Sequence, residues 1–448
     1  MKFRKLTALL LAAVMLLGLT ACGAKEPTPT EAPSETPTEA TAPFNGGNDV
    51  TALSNYAVLE AAPHDANMAT VIAVDAEGNP AMTNSMLQFT YWLEFFNFMN
   101  QYGSYASYFG LDASTPLAEQ PSMAENRTWE QYFLEDATKG FAQQYALYLE
   151  ANATGYTLSD EDQATLDDIL DPNGSIVTGA KDAGFDSAVA YMQNTFGPGV
   201  DLQDYYDYVK IYITGNSYYT HLHDLASEEA KNADEATLSA YLDEHAEDFA
   251  GVQKVNNVSV RHILITPEGE TDPDTGDYPE EAWAAAQETA NEIYAQWQQN
   301  PSEDNFAALA NEKSADPGSN TTGGLYEDFD SATMVAEFTE WSFDPARAYG
   351  DSGIVKTSYG YHIMFFVGQT ETKGWTDRVR AAMPDEIVSA MVDEICARYP
   401  VTFDFERMRV FDIVTMMANE DASQEASGDA QTDPTQETVI LPEDTFAP

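Results

Sequence analysis

The chain has 448 residues, 44% hydrophobic and 12% aromatic, which is too long for one ordinary core and enough for two with tails. Its 74 Asp and Glu against 20 Lys and Arg give a formal net charge of -54. Such a field repels nucleic acid and anionic lipid headgroups, and no local basic patch offsets it, so nucleic acid is excluded as a partner.

Lys2, Arg4 and Lys5 precede an apolar run from Leu6 to Leu17 that closes on Leu19-Thr20-Ala21-Cys22. The run is short for a membrane-spanning helix and ends in small residues, so residues 1–21 read as a secretory signal peptide. A cysteine directly after Leu-Thr-Ala resembles the lipobox of bacterial lipoproteins. That resemblance implies that Cys22 becomes the first residue and carries lipid, and two or more acyl chains anchor a protein stably. The expected place is the extracytoplasmic face of the bacterial cell membrane. Cys396 is then the remaining thiol, which excludes an intrachain disulfide. Residues 22–60, rich in Pro, Thr and Glu, read as a disordered tether, and residues 417–448, which contain no Lys or Arg, as a disordered acidic tail.

Residues 61–252 read as a helical domain. Ala69 to Val74 is a short strand, Gly78-Asn79-Pro80 a turn, and Thr83 or Asn84 caps a helix to about Asn100 with Met86, Phe89, Trp92, Leu93, Phe96 and Met99 at near-helical spacing. Further helices are predicted near 128–153, 159–170, 184–196, 201–226 and 235–249, with no second strand. Tyr102, Tyr105, Tyr108, Phe109, Tyr205, Tyr206, Tyr208, Tyr218 and Tyr219 either pack the core or line a surface that holds unfolded apolar chain.

From about Lys254 the pattern changes. Val258 to Ile265 is a strand stopped by Pro267, and 280–299 is a helix with Trp283, Ala286, Ala290, Ile293 and Trp297 along one stripe. Pro301-Ser302 opens a shorter helix, a loop and a helix at 332–341 follow, and Tyr361 to Val367 closes as a strand. The order β-α-α-loop-α-β-β over 253–371 predicts an α+β domain, a small antiparallel sheet covered by helices. The helix at 376–397 and the strand-like Val401 to Phe405, within 372–416, are too little for a domain. They are expected to pack back on the helical part, which makes 253–371 an insertion.

Period 2 places Val260, His262 and Leu264 on one strand face, and His362, Met364 and Phe366 on another, so the two histidines meet if these strands pair. The segments Val260-Arg-His-Ile-Leu264, Phe306-Ala-Ala-Leu-Ala310, Ser314-Ala-Asp-Pro-Gly-Ser319, Gly323-Gly-Leu325, Met334-Val-Ala-Glu-Phe338, Gly350-Asp-Ser-Gly-Ile-Val-Lys-Thr357 and Tyr359-Gly-Tyr-His362 resemble, in order, the successive blocks of the parvulin peptidyl-prolyl isomerases. The chain as a whole resembles the PrsA-type foldase lipoproteins of Gram-positive bacteria and the periplasmic SurA-type chaperones. The resemblance implies a helical chaperone domain joined to a small parvulin domain.

For the residues, it implies that His262 and His362 form the floor of a catalytic cleft beside the Thr357 hydroxyl, with Asp316 at a position that is Cys or Asp in the family. Leu325, Met334 and Phe338 would form the apolar proline pocket, with Met334 and Phe338 at i and i+4 on the short helix, and Tyr359 would join the substrate-binding side chains. The chain departs from the family pattern at Gly323-Gly324-Leu325-Tyr326, where many parvulins read Gly-Gly-Asp-Leu-Gly. Arg347, beyond the pocket helix, could meet an acidic substrate, but no basic loop accompanies it.

The implied activity is cis-trans isomerisation of X–Pro bonds in unfolded or newly secreted polypeptides, without cofactor. The alternative is a holdase with an inert parvulin domain. A solute-binding lipoprotein would need two α/β lobes, against the helical 83–250 stretch. No metal is expected, since His221 and His223 point to different helix faces. The oligomeric state is open, a dimer being one option.

Overall fold

The computed structural model describes residues 68–417 except 125, 273–275 and 415, so the signal peptide, Cys22, the tether and the tail beyond residue 417 lie outside the described residues. Two units divide the chain: residues up to Leu222 together with those from Val388, and His223–Ile387. Helices and antiparallel sheets are both present, giving the α+β class that the periodicities predict.

In the first unit β1 (Val71–Val74) turns into β2 (Pro80–Thr83) through a loop held by Asp75, whose Oδ1 accepts the amides of Glu77 and Asn79 at 3.0 and 2.7 Å. The second strand escapes the sequence reading because it is four residues long and opens on a proline, tolerated where no ladder N–H is required. Thr83 then caps α1 (Asn84–Tyr102), its side chain accepting the Met86 amide at 3.2 Å. The whole stretch from Asn84 to Leu93 is buried, so α1 is a central helix with little amphipathic contrast.

Two buried amides on α1 explain why that is affordable. Asn84 Nδ2 donates to the Arg407 carbonyl at 3.0 Å and its Oδ1 accepts the Arg409 amide at 2.8 Å. One turn on, Gln88 Nε2 donates to the Phe411 carbonyl at 3.1 Å and its Oε1 accepts the Phe411 amide at 2.7 Å. The segment after the last strand thus runs along α1 as if paired to another strand. That last strand, β7 (Thr402–Phe403), pairs antiparallel with β1, Ala73 opposite Phe403.

Around α1 stand α2 (Trp129–Thr154), opened by a Thr128/Gln131 capping box, then α3 (Asp160–Leu170), α4 (Ser175–Asp182), α5 (Ala188–Phe196) and α6 (Leu202–Asn232), which continues beyond Leu222. The sequence reading misses α4, which is two turns long and buries only Ile176 and Ala180. Tyr205, Tyr208 and Tyr218 are core residues, and Tyr102, Phe109 and Tyr206 are half-buried against it. Tyr105 and Tyr108 are 66% and 85% exposed. Among the described residues no helix is long and apolar enough to cross a membrane.

The second unit contains α7 (Glu235–Glu244), β3 (Val258–Ile265), α8 (Glu280–Gln298), α9 (Glu303–Lys313), β4 (Leu325–Phe329), α10 (Ala336–Ser342), β5 (Ser352–Thr357), β6 (Gly360–Gln369) and the start of α11 (Gly374–Arg398). The sheet is antiparallel with strand order β4-β3-β6-β5. β4 replaces the loop expected from its glycines and its acidic Glu327-Asp328 pair. One face carries Ile263, Ile265, Tyr361, Ile363 and Phe365 against Trp297, Phe306 and Leu309 of α8 and α9. The other carries Val258, Val260, Met364 and Phe366 against Phe329 and Phe338.

Asn257 ties the edges of this unit. Its Nδ2 donates to the Asp328 carbonyl at 2.8 Å, its Oδ1 accepts the Gly374 amide at 2.9 Å, and Arg378 of α11 forks onto both carboxylate oxygens of Asp330.

Candidate active site

β3 and β6 are the two central strands, and their register sets His262 opposite Met364 and Leu264 opposite His362. The histidines are diagonal neighbours on one face, buried, with rings 5.2 Å apart and 19° from parallel. Their Nδ1 atoms lie 3.0 Å apart. Thr357 ends β5 on the same face, and its Oγ1 is 2.9 Å from His362 Nε2.

Asp316 follows α9 in a tight loop. Its Oδ2 lies 2.9 Å from His262 Nε2, and it accepts the Ser319 hydroxyl at 2.5 Å and the Tyr326 hydroxyl at 3.0 Å, while Oδ1 accepts the Gly318 amide at 3.2 Å. These donors, the His262 contact first among them, hold the Asp316 carboxyl well below the usual carboxylate range despite partial burial. It is therefore ionised and accepts only, which requires His262 Nε2 to carry a proton and donate.

The rest of the relay follows. Burial, and secondarily the positive charge of a protonated His262, push His362 down to about 4, so it is neutral at physiological pH. A neutral His362 carries one ring proton, so of its two contacts, to His262 Nδ1 and to the Thr357 hydroxyl, it donates in one and accepts in the other, and the Thr357 oxygen accepts the Tyr359 amide at 3.1 Å. The relay from the Tyr359 amide to Asp316 is hydrogen-bonded throughout, with His362 neutral and Asp316 ionised.

Phe338 of α10 covers the pair, its ring 5.4 Å from each histidine and 84° from both planes. Met334 and Val335 are half-buried against the same cluster. Met334 does not lie on the helix as the sequence suggests, because α10 begins at Ala336 and Met334 sits in the preceding turn, its carbonyl accepting the Thr339 hydroxyl at 3.1 Å. Tyr359 is 63% exposed at the tip of the β5–β6 turn.

Leu325 is not brought to the histidines. It pairs with Arg261, which faces away from His262, whereas Tyr326 pairs with Val260 on the histidine face and its ring lies 5.2 Å from that of His262. The reason is a one-residue register effect. Set without a gap on Gly-Gly-Asp-Leu-Gly, Leu325 stands at the Asp and Tyr326 at the Leu. Gly324 makes the close approach possible: its φ is +69° and a Cβ there would lie 2.1 Å from the His262 carbonyl oxygen, whose own strand donates the His262 amide to the Gly324 carbonyl at 2.8 Å.

Sequence reasoning missed Ser319 and Tyr326. The spacing of Ser319 three residues after Asp316 in a Pro-Gly turn was a usable signal for the first. Arg347 is engaged locally, stacked 4.2 Å over the Trp341 ring and donating to the Trp341 carbonyl at 2.9 Å. Among the described residues no group of three or more His, Cys, Asp or Glu could hold a metal ion.

Residues 248–370 match the family model of the PPIC-type peptidyl-prolyl isomerase domain. Over 131 residues the chain is 30% identical to the peptidyl-prolyl cis-trans isomerase Cbf2 of Campylobacter jejuni, covering 29% of this chain and 41% of that protein. It is 32% identical over 115 residues to foldase protein PrsA 1 of Listeria innocua, 26% of this chain and 32% of that one, and 34% identical over 134 residues to foldase protein PrsA of Caldanaerobacter subterraneus, 30% and 34% respectively. The chain thus spans less than half the length of these curated relatives. With the blocks and the histidine pair in agreement, residues 248–370 form a PPIC-type peptidyl-prolyl isomerase domain, that of the parvulins.

Proposed function

We propose that the chain catalyses cis-trans isomerisation of X–Pro bonds at the face of His262, His362, Thr357 and Asp316, with Met334 and Phe338 gripping the proline ring and Tyr359 at the rim. The observation that carries this is the stacked histidine pair under Phe338, with every polar atom beneath it partnered.

The chemistry asks little of a catalyst. Rotation must lose amide resonance, a barrier of about 18–20 kcal/mol, and no bond is made or broken. The planar imide is more dipolar than the twisted one, so an apolar wall that removes water from it favours the twisted form. His362, held neutral by burial, puts no charge under the bond. Asp316 keeps a proton on His262 Nε2, acting as an electrostatic tuner and not as a nucleophile.

We further propose the domain division given above, with residues 61–252 and 372–416 as the chaperone part and 253–371 as the isomerase. The substrates are unfolded, newly secreted polypeptides, met outside the cytoplasmic membrane to which lipidated Cys22 tethers the protein. Exposed Tyr105 and Tyr108 suit contact with such chains. The second reading, a holdase with an inert parvulin domain, is separated by one experiment. Exchange of a proline tetrapeptide is measured with the wild type and with His262→Ala. Catalysis above background that falls at least about tenfold in the variant supports the enzyme. A wild type no faster than background supports the holdase.

A further inference from the structure

Tyr326 does two things that the family pattern assigns to no single residue. Its ring stands on the histidine face of the sheet, packed with Met334 and Phe338 in one cluster, where the pattern has an aliphatic leucine. Its hydroxyl donates to Asp316 Oδ2 at 3.0 Å, the same oxygen that receives His262. The Asp316 loop is built around that hydroxyl: a Cβ on Gly318 would lie 2.8 Å from it. Burial, and next the Asp316 charge, push the phenol up to about 12, so at neutral pH it donates.

We infer that Tyr326 is a positioning residue, a wall of the proline pocket whose O–H fixes the Asp316 carboxylate on His262, so that pocket and relay are coupled through one side chain. This rests on the isomerase reading of the same site. A leucine there would build the wall and leave the carboxylate with one donor fewer. Asp316 would then be the more basic partner and would stabilise a charged His262 more strongly, raising the titration of the histidine pair.

The test uses the full chain and the variants Tyr326→Phe, Tyr326→Leu and Gly318→Ala. The imidazole resonances of His262 and His362 are titrated by NMR, and kcat and KM are measured on the proline tetrapeptide. Tyr326→Phe keeps the ring and is expected to raise the titration midpoint and to lower kcat on the order of tenfold, with KM within about twofold. Gly318→Ala, which crowds the hydroxyl, is expected to raise the midpoint in the same direction. Tyr326→Leu is expected to match Tyr326→Phe in the titration and in addition to raise KM. An unmoved midpoint in Tyr326→Phe overturns the positioning role, whatever kcat does. A wild type without catalysis overturns the isomerase reading instead, and the titration still decides the coupling between Tyr326 and Asp316.

Discussion

Asp316 organises the polar side of the histidine face. It gathers the His262 imidazole, two hydroxyls and a backbone amide, and so keeps a proton on His262 Nε2. Asp316→Ala is expected to lower kcat/KM of proline-peptide exchange by about one order of magnitude while leaving the fold intact, since the sheet keeps its register without it. An unchanged rate would remove Asp316 from the chemistry. The histidines were readable from strand alternation alone, because a buried antiparallel sheet forces period 2 and both sit in short apolar runs. Tyr326 was not, because two glycines and two acidic residues around it hide the strand, and alternation cannot be counted through a segment that does not look extended.

At the scale of elements, the long helices and the two central strands of the second unit were legible from periodicity and caps. β2, α4 and the exact start of α10 were not, because each is held by neighbours more than by its own pattern. The first unit shows this most clearly in Asn84 and Gln88, which read as polar interruptions on an apolar helix and turn out to bind the backbone of residues 407–411. A second buried polar group there is strained. Glu130, in the first turn of α2, is fully buried with neither carboxylate oxygen hydrogen-bonded, beside Tyr91 and Asp412. Burial, then the Asp412 charge, push it from its ordinary 4.5 up to about 8. The folded chain therefore holds a proton that the unfolded chain releases between those values. The stability this contributes is full below about pH 4.5 and is lost as pH rises through 8. Glu130→Gln is expected to flatten that slope and to gain on the order of 1–3 kcal/mol at pH 8 in denaturant unfolding, with little change at pH 5. Identical slopes in the two proteins would show that the carboxyl is not a proton store.

For the whole molecule the dominant fact is charge, 74 acidic against 20 basic residues. Exposed ion pairs such as Lys231–Glu228 and Lys373–Glu235 are worth little, so the net field opposes compaction. Raising ionic strength from about 10 to about 150 mM shortens the screening length from about 30 to 8 Å and is expected to raise the melting midpoint by about a few degrees. A midpoint that falls with salt would mean that attractive pairs dominate instead. The same acidity makes the neutrality of His362 a matter of local burial, since the surrounding field alone would favour protonated imidazole. The pH profile of kcat/KM for X–Pro exchange therefore tests the central claim most directly. With His362 held down to about 4 by burial, activity is predicted to stay level from pH 8 to about 5 and to fall only on approach to 4. A profile that falls through pH 6.5, where an ordinary histidine titrates, would contradict a catalytic role for a His362 held neutral by burial.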